Sequence, residues 1–358
     1  MQISVLVFPA NMPKAIDFAR MVRGMGFKVV CASSEPESVS DEISGLAYLP
    51  YVTAPTFREQ LTRLMDEENI SIVYAPHAAV WQYMQELKSD TGFTRDFRLC
   101  NAFVGDENWR PYEKAYAWAE SCRTPLHIHG KQPPSAALQA HQYAGLYHAY
   151  NAIPGESDAA KIWLLAQIAR VAPKGNIVEI GSAYGRSAFS FAWLARSHRI
   201  GTLVCVDPWS YAASENQGAD AQLINTAVKS VAWEQVFGAF LTSLSGFDDV
   251  AYIRKPSVEA LPDYVQAKQA GFISTPEFGR VALSDGISIL HIDGNHSYED
   301  AVLDIQYWTP HVQPGGWILI DDYVWAFGDG PQRAADELLQ RQSFEIAFAV
   351  GDTLCIQV

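Results

Sequence analysis

No apolar run in the sequence approaches the roughly 18 to 20 residues that a bilayer-spanning helix needs, so the chain reads as a protein with no membrane partner. Closely spaced cysteines are also missing. Cys31, Cys100, Cys122, Cys205 and Cys355 are scattered and odd in number, which argues against a zinc ribbon or disulfide framework and for buried thiols in a reducing cytosol. There is no basic cluster: 26 Lys and Arg stand against 40 Asp and Glu, a formal net charge of -14, and such a surface repels a phosphate backbone. Nucleic acid is therefore not an expected partner. Met1 to Phe8 reads as a short apolar strand with neither a basic leader nor a small-residue cleavage site, so the expected location is cytoplasmic.

What is present is ample core material, 49% hydrophobic against 18% charged residues over 358 positions, enough for two globular domains. Ile3 to Phe8 reads as a buried strand, Pro13 to Met25 as a helix and Phe27 to Ala32 as a second strand, which makes one βαβ unit. A helix over Thr56 to Glu68, a strand over Ile70 to Ala75 and a helix near Ala79 to Lys88 extend it into a small parallel sheet. In strand, helix and turn pattern this block resembles the Rossmann-like domain that precedes the nucleotide site of ATP-grasp enzymes. Phe8, Pro9, Ala10, Asn11 and Met12 follow the first strand where a dinucleotide site would place glycines. The block therefore reads as a scaffold that shapes a substrate cleft or serves as the interface of a homo-oligomer. Residues 1–95 form this accessory domain, 96–158 a partly helical connector, and 159–358 a second domain. In the connector His127 and His129 would share one face of a strand, a spacing open to a metal but more simply read as polar packing.

The second domain carries the chemistry. Asn176 to Ile180 is an apolar strand that runs into Gly181, Ser182, Ala183, Tyr184 and Gly185 and then a helix over Arg186 to Ser197. Glycines at such a junction let the chain turn sharply and a ligand approach the backbone. The next strand, Leu203 to Val206, ends in Asp207, placed to accept both ribose hydroxyls of a nucleoside. Arg186 and Ser187 stand where a pyrophosphate site would want a third glycine, so an adenosine without a pyrophosphate fits better than NAD.

Val178 to Gly185 and Val204 to Trp209 resemble the first and second motifs of class I S-adenosylmethionine-dependent methyltransferases. The order of elements agrees: a strand at Val250 to Arg254 before Ser257, one at Ile287 to Ile292 ending at Asp293, one at Trp317 to Ile320 ending at Asp321 and Asp322, then a hairpin from Phe344 to Val358. The resemblance implies an α/β fold, a Rossmann-like seven-stranded sheet preceded by the smaller N-terminal Rossmann-like domain. It also implies S-adenosylmethionine as cofactor, with Glu179, Gly181 and Gly185 along its methionine portion, Asp207 on the ribose, and Trp209 and Ser257 near the adenine. Ser182, Tyr184, Ser187 and Asp293 complete the implied cofactor-binding set. Trp209 reads equally well as core packing.

His291 to Asp300 and Pro314 to Tyr323 resemble the branch holding the macrocin and mycinamicin sugar O-methyltransferases, the rhamnosyl O-methyltransferases and the proteins named cephalosporin hydroxylases. In several of these, acids at the places of Asp293, Asp321 and Asp322 bind magnesium, and a histidine at the place of His296 is the base. The chemistry stands on its own, since three carboxylates at adjacent strand ends repel unless a cation or protons intervene. The activity implied is methyl transfer to a hydroxyl of a sugar or natural product, a small-molecule partner. Alternatives are that Asp321 and Asp322 bond to loop amides while His296 caps the following helix, and that the chain is a noncatalytic cofactor-binding scaffold or a hydroxylase-like enzyme. Two insertions, Tyr211 to Phe247 and Gln266 to Asp285, face the substrate as candidate lids; Trp308, Trp317 and Trp325 pack the sheet, with Trp325 close enough to the acids to touch a substrate.

Overall fold

The computed structural model describes residues 3–36, 45–126 and 133–358, so His127 and His129 lie outside the described residues. The chain divides into two compact units, Met1–Glu113 and Lys114–Val358. The first contains β1 (Ser4–Val7), α1 (Pro13–Gly24), β2 (Lys28–Ser33), β3 (Ala47–Tyr48), α2 (Phe57–Glu68), β4 (Ile70–Tyr74), α3 (Ala78–Ser89) and β5 (Arg98–Leu99). Its strands are all parallel, in the order β3-β2-β1-β4-β5. The helices form for ordinary reasons: α2 buries Phe57, Leu61 and Met65, spaced one turn apart, and stops where Asn69 turns left-handed. Phe8 and Ala10, both buried, fill the turn after β1.

α4 (Val104–Arg123) leads into the second unit, which continues with α5 (Ala140–Tyr150), α6 (Ala159–Val171), β6 (Asn176–Ile180), α7 (Arg186–His198), β7 (Leu203–Val206), α8 (Gln222–Ala227), α9 (Trp233–Leu244) and β8 (Val250–Ile253). There follow α10 (Ser257–Ala270), the hairpin β9 (Phe272–Thr275) and β10 (Gly279–Ala282), β11 (Ile287–Ile292), α11 (Tyr298–Trp308), β12 (Val312–Ile320), α12 (Gly330–Arg341), β13 (Ile346–Val350) and β14 (Thr353–Gln357). Tyr143, Leu146 and Tyr150 of α5, from the stretch read as a connector, are buried in the same core as α6 and α7. Among the described residues no helix is long and apolar enough to cross a membrane. Cys100 is exposed, unlike the other four cysteines, because it follows the short edge strand β5 and escapes the core expected for it.

Seven strands form the sheet of this unit in the order β13-β14-β12-β11-β6-β7-β8. All neighbours are parallel except β14, antiparallel to both β12 and β13. This is the seven-stranded Rossmann-like sheet that the resemblance implies. After β6 the chain builds outward through β7 and β8 and then returns to β11 on the other side of β6. The switch point therefore lies between the C-terminal ends of β6 and β11, where an open α/β sheet offers its crevice.

Both faces of the sheet are covered. Ile177, Leu203, Ile289 and Leu319 pack with α6 and α7 on one side; Val178, Val204, Leu290 and Ile318 pack with α10 and α11 on the other. Each buried aliphatic side chain contributes roughly 1.5–3 kcal/mol. Because alternate residues share a face, Glu179 and His291 point toward α6 and α7 with Ile177 and Ile289.

Candidate functional site

The loop after β6 is shaped by contacts that leave no room for side chains. Gly181 has φ +83°, and a Cβ there would overlap the carbonyl oxygen of Asp293 on the other bank of the crevice. Gly185, at φ +86°, precedes the first turn of α7. Ala183, Trp209 and Asp322 are also left-handed, and they stand past the ends of β6, β7 and β12. Strained non-glycine residues gathered at one sheet edge are held there by their surroundings, a pattern common at functional sites.

Asp207 organises this loop. Its Oδ2 accepts from the N–H groups of Ser182 (3.0 Å) and Ala183 (2.9 Å), and its Oδ1 from the N–H of Trp209 (2.6 Å). A carboxylate offers about four lone pairs, so one remains on Oδ1. That corrects the expectation of two ribose hydroxyls: one can be accepted without breaking the loop. The Ser182 and Ala183 amides, spent on Asp207, do not face outward for a pyrophosphate, which favours a nucleoside ligand without one. Burial raises the Asp207 carboxyl pKa, opposed by the three backbone N–H bonds. S-adenosylmethionine meets these conditions, and when bound it supplies an electrophilic methyl group.

Other implied cofactor residues sit differently. Trp209 is 1% exposed, with its indole N–H on Ala183 O and its ring against Phe237 and Phe240; it packs the core and does not line the crevice. Glu179 is wholly buried, accepting from Ser182 Oγ at 2.6 Å, with Oε1 3.2 Å from His291 Nδ1. It supports the loop from beneath, where a methionine moiety would not reach it. Ser182 and Ser187 are buried, and Tyr184 is half-buried against the α7 core. Ser257, in the first turn of α10, hydrogen-bonds the buried Asp304 of α11.

The acids at the ends of β11 and β12 separate into two groups that share Asp293. One contains Asp293, His296 and Asp322, the other His291, Asp293 and Asp321, and within each the ligand atoms lie within 4.8 Å of one another. His296 Nε2 is paired with Asp322 Oδ2 at 2.8 Å, while Nδ1 has no hydrogen-bond partner. Burial would lower the His296 pKa, but the hydrogen bond to Asp322 and the negative charges of Asp322 and Asp293 outweigh it and raise it. Burial pushes the Asp293 carboxyl up against the opposing pull of Lys161; at Asp322 burial is outweighed by His296 and the pKa falls. Two carboxylates beside a half-buried imidazole are a donor set that fits a divalent cation.

Asp321 does not join that first group, contrary to its expected place as a third metal carboxylate. Its Oδ2 pairs with Lys161 Nζ and its Oδ1 accepts from Thr353 Oγ1 at 2.6 Å, because its side chain points to the α6 face of the sheet. Nor does His296 cap α11. Ser297 does, its Oγ accepting from Asp300 N–H at 3.1 Å. The insertion after Asp207 reaches over this region: Gln217 Oε1 accepts from His296 N–H at 2.9 Å, and Asn295 Nδ2 donates to Ala213 O at 3.0 Å. Trp325 leans on the His296 ring with centroids 4.5 Å apart. The second insertion forms the β9–β10 hairpin.

Sequence reasoning passed over Lys161, His291, Thr353 and Gln217. A signal existed for two of them: Lys161 interrupts the apolar first half of α6 and His291 the apolar end of β11, and a polar residue in a doubly covered element needs a partner.

Residues 178–323 match the family model for a methyltransferase domain. A curated relative, an uncharacterized protein of Acanthamoeba polyphaga mimivirus, is 44% identical over 41 residues; the match spans 12% of this chain and 19% of that protein's length. Among solved structures, the O-methyltransferase NovP is 18% identical with a TM-score of 0.42 over 56% of this chain and 80% of its own. The calicheamicin methyltransferase CalS11 is 12% identical with a TM-score of 0.42 over 75% and 98% of the two chains. The O-methyltransferase TomG from Streptomyces achromogenes, solved with its cofactor, is 18% identical with a TM-score of 0.39 over 62% and 92%. The matched segment runs from β6 past the end of β12 and holds the glycine loop, Asp207 and the acid groups. By this match residues 178–323 form a methyltransferase domain.

Proposed function

We propose that this domain moves the methyl group of S-adenosylmethionine to a hydroxyl oxygen of a sugar or other small natural product, assisted by a divalent cation such as magnesium. One observation carries the reading. Asp293 belongs to both halves of the site, its carbonyl packed on Gly181 of the cofactor loop and its carboxylate grouped with His296 and Asp322. In this reading a nucleoside sulfonium in the crevice and an acceptor at His296 would be neighbours.

Asp293 and Asp322 would hold the cation, which lowers the pKa of a hydroxyl beside it. His296 takes the hydroxyl proton on Nδ1, the ring nitrogen turned away from Asp322 and without a partner. Trp325 and the Gln217 segment flank His296, where they orient the acceptor and shield it from water. The cytoplasm, with its supply of cofactor, is the proposed location, and the first unit is proposed as a scaffold or an interface between copies.

The test is transfer from deuteromethyl-labelled cofactor to a panel of sugars, glycosylated natural products and phenols, with the labelled atom located by NMR. A label on oxygen supports the reading. Exclusive label on nitrogen or carbon rejects it.

A further inference from the structure

Lys161 stands in the first turn of α6, in a helix whose buried face is otherwise almost wholly apolar, and its side chain is only 7% exposed. A buried ammonium is costly unless paired, and this one is paired twice: Nζ contacts Asp321 Oδ2 and lies 3.8 Å from Asp293 Oδ2. With Thr353 Oγ1 on the other oxygen, both oxygens of Asp321 are occupied. The two acid groups consequently differ in access. Asp321 is 1% exposed and His291 not at all, whereas Asp293, His296 and Asp322 are 22%, 21% and 20% exposed.

We propose that Lys161 is the resident cation of the inner group, filling with its ammonium the place where a metal could otherwise be bound by His291, Asp293 and Asp321. Asp321 is then the partner of a lysine and not a metal ligand, and a divalent ion is confined to Asp293 and Asp322, beside His296. Like charges a few ångströms apart repel strongly in a partly desolvated site, so the ammonium also sets how tightly the shared Asp293 holds any cation. Lys161 acts as a positioning residue through these carboxylates. The inference rests on the metal-assisted reading above, and its test separates the two.

The experiment is a manganese titration of the full chain, followed by the EPR signal of the free ion, with wild type, Lys161→Met and the double variant Lys161→Met/Asp321→Asn. Affinity for S-adenosylhomocysteine reports that each protein is folded. Lys161→Met should bind manganese at least about tenfold more tightly than wild type, because a repelling charge is gone and Asp321 becomes a ligand. The double variant should return to within about threefold of wild type, since both members of the pair are removed.

Equal affinity in wild type and Lys161→Met overturns the proposal. So does a double variant weakened about tenfold or more, which would make Asp321 a direct ligand; should Lys161→Met fail to fold, the double variant decides by this criterion. Manganese bound by Lys161→Met but not by wild type supports the role of Lys161 and rejects metal assistance in the native enzyme. Manganese bound by neither rejects both.

Discussion

His291 and Glu179 are opposed across β11 and β6, with Nδ1 3.2 Å from Oε1, and neither side chain has any exposed surface. Cys205 of β7 is paired in register with Glu179, so a row of polar side chains runs beneath the glycine loop inside an otherwise apolar core. The row is where the sheet passes from packing to chemistry.

Glu179→Ala deprives His291 Nδ1 and Ser182 Oγ of a shared partner at a place with no exposed surface. Leaving buried polar groups unpaired costs about 1–3 kcal/mol, so the urea midpoint should fall by a corresponding amount. An unchanged midpoint would show that the row is not structural.

Asp207→Ala should act twice, because the same carboxylate ties three loop amides and keeps a lone pair for a ribose hydroxyl. Affinity for S-adenosylhomocysteine should drop by about 1.5–3 kcal/mol, the range for hydrogen bonds to a charged group, with thermal stability reduced as well. Calorimetry and a thermal melt check the two parts. Equal affinity would mean that the nucleoside lies elsewhere.

Asp304 gives a pH dependence of defined sign. Burial raises its pKa to about 7, with the Ser257 hydroxyl pulling the other way. The unfolded carboxyl titrates near 3.8, so between these values the folded state binds more protons and stability falls as pH rises. The cost reaches roughly 2–4 kcal/mol above the window. Asp304→Asn keeps an acceptor for Ser257 Oγ and cannot ionise. It should flatten the profile of unfolding free energy between about pH 4 and 7 and make the variant the more stable protein at pH 8. A wild-type slope in the variant would assign the dependence to another group.

The acceptor group should behave as a unit. Asp293→Ala and Asp322→Ala should remove most turnover while affinity for S-adenosylhomocysteine stays close to that of wild type, and EDTA should mimic them until magnesium is restored. His296→Ala should lower the rate by about 100- to 10,000-fold, the range for a lost general base. Full activity in EDTA would reject the cation and leave His296 as a lone base.

Hydrophobic periodicity and glycine placement were enough to read the order of strands and helices in both units, since a doubly covered parallel strand must be an apolar run and its turn must be compact. The same logic put Gly181, Asp207, Asp293, His296 and Asp322 at strand ends on one edge. What the sequence could not reveal was the partner of each charge. Lys161 and Asp321 are 160 positions apart, and which of two adjacent acids takes the lysine depends on the alternation of side chains across the sheet and on the helix laid over that face. Asp321 continues the alternation of β12 toward α6, while Asp322, left-handed at φ 53°, turns out toward His296. Local pattern determines where a carboxylate arrives along the chain; only packing across the sheet decides whether it meets an ammonium, a backbone amide or open crevice.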